Sequence, residues 1–148
     1  MKKILSLIFL FCALSCTKTE HDYFPNWPVN LELDLSFEDK ELNGVMSYKA
    51  YIAGETPGLA TMERTGLGGV LVYHSVDGFF AYDLACPKEM NSSVLLRMDK
   101  DAIYAVCPKC GSKFNVFEGY GSLVEGVADQ GMKRYKVIPN GNKLYIRN

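Results

Sequence analysis

The chain has 148 residues, with 16 lysines and arginines against 17 aspartates and glutamates and a formal net charge of −1. The length allows one domain with a real core and not two comfortable ones, and the absence of a basic run excludes a phosphate-tracking surface for nucleic acid. Nine tyrosines and eight phenylalanines are spread along the sequence, which suits the pleated faces of a β protein.

Residues 1–15 begin with Lys2 and Lys3, continue as an apolar run over 4–14 interrupted only by Ser6, and end at Ser15 before Cys16. The run is too short to span a bilayer as a helix and reads as a signal peptide. A small residue before a cysteine at the end of such a run resembles a bacterial lipoprotein cleavage site. Cys16 is then the expected lipidated first residue, anchoring the mature chain to a membrane of the bacterial cell envelope, and Cys12 is discarded. An ordinary secretory signal cut elsewhere is the alternative; either route takes the domain out of the cytoplasm. Loss of Lys2 and Lys3 leaves 14 basic residues against 17 acidic.

Residues 16–28 are polar at first and then carry Pro25 and Pro28 around Trp27, the pattern of a tether that ends by docking onto a domain. His21 lies in this tether and reads as a solvated histidine. A single domain is expected over 29–148. Leu31, Leu33, Leu35 and Phe37 alternate with polar residues, predicting a half-buried strand over 31–37. A turn over 39–44, a second strand over 45–53 and a long loop over 54–69 follow. Gly66, Gly68 and Gly69 read as a turn into a strand, since no Lys-Ser/Thr follows as in a phosphate loop.

Three hairpins then succeed one another. Segments 70–74 and 79–82 flank a turn ending in Asp77-Gly78 and deliver Cys86. Segments 94–98 and 103–106 flank Asp99-Lys100-Asp101 and deliver Cys107. Segments 133–138 and 143–146 close on Asn140-Gly141, the strongest short-range hairpin signal in the chain. With no amphipathic helical run, the fold class is all-β, an antiparallel sandwich or small barrel.

The stretch 85–128 holds Cys86-Pro87-Lys88 in one loop and Cys107-Pro108-Lys109-Cys110-Gly111-Ser112 in another, about twenty residues apart. Two such loops can pinch one site and hold a metal. Over 65–147 the pattern resembles a Rieske-type iron-sulfur domain: Cys107-Pro108-x-x-Gly111-Ser112-x-Phe114 is similar to the family's second loop, and Gly121 to Gly126 followed by Ala128 to its glycine-spaced third. Tyr135-x-Val137 and Leu144-x-Ile146 are similar to its last strands, and residues 29–60 are then extra strands packed onto that core. The resemblance implies a [2Fe-2S] cluster, with one iron on two cysteines and the other on two histidines, and one-electron transfer to a partner oxidoreductase at the loop tips rather than stand-alone catalysis. Lys88 stands where the family has its first ligand histidine, Cys110 where it has its second, and Val127 where it has a shielding proline.

The residues leave several chemistries open. Cys86, Cys107 and Cys110 can ligate iron as thiolates, but Lys88 is a poor fourth ligand because its amine must first lose a proton from a pKa of about 10. The leader carries Lys2-Lys3 rather than two arginines, which points to the general secretory route and away from export with a cluster already built. The three thiols can instead bind Zn²⁺ or Fe²⁺ tetrahedrally, the fourth place going to water or a side chain. In an oxidising compartment Cys86 can form a disulfide with Cys107 or Cys110, leaving a cluster-free binding or structural module. Thiol exchange at the Cys-Pro-x-Cys turn lacks the helix N-terminus that such motifs use. His74 ends the strand before the Cys86 loop and reads as a histidine bonded to backbone or water. Lys88 and Lys109 place two positive charges at the loop tips, able to receive an anionic partner or lower thiol pKa values.

Overall fold

A computed structural model describes residues 23–148; the leader, Cys12, Cys16 and His21 lie outside them. The strands in chain order are β1 Val29–Asp34, β2 Tyr48–Tyr51, β3 Arg64–Thr65, β4 Val70–Ser75, β5 Gly78–Asp83, β6 Arg97–Met98, β7 Tyr104–Val106, β8 Lys113–Asn115, β9 Ser122–Glu125, β10 Arg134–Asn140 and β11 Lys143–Arg147. A 3-10 turn, Lys40–Asn43, is the helical element of the described residues, none of whose helices is long and apolar enough to cross a membrane. Every pairing is antiparallel. Seven strands form one sheet in the order β2-β4-β5-β10-β11-β1-β3, and four form a second, β6-β7-β8-β9. The all-β antiparallel fold expected from the sequence is the fold observed.

Two cores explain the pattern of apolar residues. The first four residues of β4, Val70 to Tyr73, read as an unbroken apolar run because both faces of the strand are covered there. Its Leu71 and Tyr73 pack with Tyr82, Ala105, Phe114 and Val116 between the two sheets. Its Val70 and Val72 pack with Leu31, Leu33, Leu144 and Ile146, where the large sheet curls on itself and Leu42 of the 3-10 turn closes the gap. Each fully buried leucine or isoleucine there contributes roughly 1.5–3 kcal/mol.

The three expected hairpins are present. The β4–β5 turn sits at Ser75 and Gly78, and β10–β11 closes at Asn140 paired with Lys143, with Gly141 in the left-handed region at φ +58°. Other expectations change. The strand foreseen over 31–37 stops at Asp34, whose N–H donates to Asp39 Oδ2 (2.8 Å) and whose carbonyl accepts from Asp39 N–H (2.9 Å). Asp39 also accepts from Tyr51 Oη (2.6 Å) and Lys49 Nζ (2.9 Å), so a buried carboxylate folds the chain back and leaves Phe37 76% exposed.

The strand foreseen over 45–53 is the shorter β2, and the loop over 54–69 contains β3, which pairs with β1. Strand β1 is not an addition packed onto a finished core: it lies inside the large sheet between β11 and β3, with Leu31 opposite Ile146. Ahead of it, Asn26 Oδ1 and the Trp27 carbonyl accept from the Asn148 amide (3.0 and 2.9 Å), tying residues 26 and 27 to the last residue of the chain.

Candidate metal centre

Cys86 follows β5 and Cys107 follows β7, so each thiol is delivered by the end of a hairpin strand. A bridge between Ala85 and Leu95 and the bond from Cys86 N–H to the Val94 carbonyl (3.1 Å) tie the first loop to the segment leading into β6. The first loop also rests on Asp83, which is fully buried and accepts from the backbone N–H of Leu67 (2.8 Å), Gly68 (3.0 Å) and Ala85 (2.7 Å) and from Tyr135 Oη (2.6 Å). Gly68 must be glycine here, because a Cβ would stand 2.5 Å from Ala85 N. The glycines before β4 thus form the expected turn, held by a carboxylate three residues before Cys86.

The two loops bring Cys86, Cys107 and Cys110 together: their sulfurs all lie within 4.8 Å of one another, with Cys86 Sγ and Cys110 Sγ 3.6 Å apart. All three are free thiols. Cys86 and Cys107 are buried, and Cys110 lies at the mouth. Backbone N–H groups face the sulfurs: those of Glu89 and Lys88 toward Cys86, and that of Cys110 toward Cys107 Sγ at 3.4 Å. Burial pushes the Cys86 thiol up to about 12 despite the opposing pull of those two N–H groups. Burial also raises Cys110, but hydrogen bonds from the Ser112 side chain and backbone and from the neighbouring thiols outweigh it and bring Cys110 below the ordinary thiol value. Cys110 is therefore readier to ionise than Cys86.

Ser112, quoted in the sequence only as part of the second-loop pattern and given no role there, organises that loop. Its hydroxyl is 3.2 Å from Cys110 Sγ and accepts from Val127 N–H and Ala128 N–H, both at 3.1 Å. Gly126 lies so close that a Cβ there would meet Ser112 Cα at 2.5 Å, and its φ is +114°. The segment that resembles the family's third loop thus clamps Ser112. The close glycine spacing of 121–126 was the signal in the sequence for this approach.

The remaining candidates stand apart from the sulfurs. Lys88 is exposed at the tip of the first loop. Lys109 is exposed as well and is paired with Glu89 of the first loop. His74 stacks on Phe79 (centroids 4.0 Å apart), with Nδ1 2.7 Å from the Leu42 carbonyl oxygen, the backbone-bonded role expected of it. A cavity of about 620 Å³ shares no residue with the sulfur site; Glu32, Asp34, Glu38, Asp39, Lys49 and Glu63 contribute its charged walls.

No family model matches the chain, and no curated protein does. Among solved structures, the chain is similar to one from the complex of reduced oxygenase and oxidised ferredoxin in carbazole 1,9a-dioxygenase, at 15% identity and a TM-score of 0.49, covering 80% of this chain and 93% of that one. It is similar to the ferredoxin of carbazole 1,9a-dioxygenase from Nocardioides aromaticivorans at 16% identity and a TM-score of 0.47, covering 80% and 95%. It is also similar to a ferredoxin of Sphingomonas yanoikuyae at 16% identity and a TM-score of 0.48, covering 80% and 98%.

Proposed function

We propose that this chain is an exported, lipid-anchored protein of Rieske-like build whose Cys86, Cys107 and Cys110 hold one thiophilic metal ion, with iron making it a one-electron carrier for a partner oxidoreductase. The observation that carries this reading is the convergence of three sulfurs within 4.8 Å. Ligand sulfurs about 2.3 Å from a tetrahedral ion stand about 3.8 Å apart, and the 3.6 Å between Cys86 and Cys110 is close to one edge of that tetrahedron.

The same residues do not fit the Rieske cluster. That group needs four donors in two pairs, one pair on each iron. Here three thiols gather around a single point, and Lys88, at the first histidine position, is exposed at the loop tip. Cys110 has a shorter side chain than the histidine it stands for, so its sulfur joins the other two.

Iron held by these thiolates supplies single-electron exchange, whereas zinc supplies a cross-link between loops. The protein's own part is to gather charge: backbone N–H groups offset the thiolates of Cys86 and Cys107, and Ser112 fixes Cys110. The exposed Lys88 and Lys109 lie at the tips where a partner would approach. The leader over 1–15 and Cys16 support export and anchoring.

The test is anaerobic reconstitution of the reduced protein with Fe²⁺ and sulfide, followed by iron and labile-sulfide analysis. One iron per chain without sulfide is the expected result; two irons with two sulfides would restore the cluster. A specific observation favours one other reading: Cys86 and Cys110 are close enough for a small movement to join them in a disulfide. Air-purified protein that binds no iron and carries one free thiol among these three would establish it.

A further inference from the structure

Both cysteine loops are written alike: Cys86-Pro87-Lys88-Glu89-Met90 and Cys107-Pro108-Lys109-Cys110-Gly111. They also fold alike. In the first, Met90 N–H donates to the Cys86 carbonyl (2.8 Å); in the second, Gly111 N–H donates to the Cys107 carbonyl (3.0 Å). The residue closing each turn has positive φ, +46° for Met90 and +73° for Gly111. Methionine rarely adopts this region, so the first loop accepts strain at Met90 to make the turn that glycine makes freely in the second.

Two turns closed alike give like positions a like backbone, although the atoms gathered in this structure are the three sulfurs and the Glu89 carboxylate is turned to Lys109. The residue three after the cysteine is Cys110 in one loop, where it supplies a sulfur to the site, and Glu89 in the other. We infer that Glu89 is the fourth ligand of the metal centre, completing a three-sulfur, one-carboxylate set. This deepens the reading of Cys86, Cys107 and Cys110 as a centre for one ion and rests on it. Carboxylate oxygen is an ordinary zinc ligand, and a fourth protein ligand from the first loop gives each turn two donors.

In the structure the Glu89 carboxylate is paired with the Lys109 ammonium. Lys109 and the ion therefore compete for the same carboxylate. Binding of an ion releases Lys109 to solvent and breaks one salt bridge that ties the loops, while the ion itself ties them instead. Lys88, at the position preceding Glu89, takes no part.

The experiment uses the reduced protein lacking residues other than the mature chain, with Co²⁺ as a probe read by its thiolate charge-transfer absorption, and Zn²⁺ affinity measured by chelator competition. Glu89→Gln is expected to weaken Zn²⁺ binding by at least about tenfold, by the scale on which even outer partners of metal ligands act. Lys109→Ala is expected to leave affinity unchanged or raise it, because it frees the carboxylate. Glu89→Cys is expected to restore binding and intensify the Co²⁺ charge-transfer band through a fourth thiolate. A merely structural ion pair would instead make Glu89→Gln and Lys109→Ala equally damaging, which overturns the inference. Wild-type binding with an unchanged Glu89→Gln variant also overturns it and spares the three-thiol centre. Failure of the wild type to bind Co²⁺ or Zn²⁺ overturns both.

Discussion

Replacing Ser112 by alanine removes one oxygen that serves three partners. Ala128 is buried, so its N–H, which donates to that oxygen at 3.1 Å, loses its partner without access to water. Leaving such a donor unpaired costs about 1–3 kcal/mol. Val127 is 64% exposed, so its N–H turns to solvent at little cost. The contact with Cys110 Sγ at 3.2 Å is lost as well. The expected destabilisation is roughly 2–3 kcal/mol, and with a urea slope of roughly 1–3 kcal/mol/M the unfolding midpoint falls by about 1 M. Urea titration followed by tyrosine fluorescence reads this directly. A Ser112→Ala midpoint within about 0.2 M of wild type, well short of the expected shift, would refute the clamp between the second loop and the 126–128 segment.

In the metal-free, reduced protein Cys110 is expected to react with iodoacetamide ahead of Cys86 near neutral pH, because hydrogen bonds from Ser112 lower the one while burial raises the other; peptide mapping with Cys86 modified ahead of Cys110 would contradict this. Burial raises the phenols of Tyr51, Tyr73, Tyr82 and Tyr135, two of which also donate to Asp39 and Asp83. Their folded pKa values exceed the unfolded value of about 10, so the stability they carry is complete below that pH and is lost as pH rises beyond it. Phenolate absorbance from these four is expected to appear together with unfolding, and ionisation with native circular dichroism retained would count against their burial. Cys16→Ala is expected to move the protein from the membrane fraction to the soluble one on expression in a bacterial host; retention in the membrane would exclude the lipid anchor.

The hairpins were legible because each has a local cause. Asp77-Gly78 and Asn140-Gly141 supply turn geometry within a few residues, and those turns decide where Cys86 falls and how the chain closes. The short strands β8 and β9 were not legible, since three or four residues give no periodicity to read. Asp39 shows a second reason: the alternation through Leu35 and Phe37 continues past the point where a buried carboxylate, bonded to Tyr51 and Lys49, turns the chain. At the site, the cysteine spacing announced the meeting of the three thiols. The role of Ser112 depends on a loop that returns from residues 126–128, and nothing near Ser112 in sequence signals it. The likeness of the two Cys-Pro-Lys loops was visible in the letters, but only the shared left-handed closure at Met90 and Gly111 gives it structural meaning.

The most direct measurement is iron-edge X-ray absorption on the reduced, iron-loaded chain. One iron with three sulfurs at about 2.3 Å and a single lighter neighbour is the predicted first shell. A second iron at short range would contradict a one-ion centre, whatever the colour or iron content of the sample.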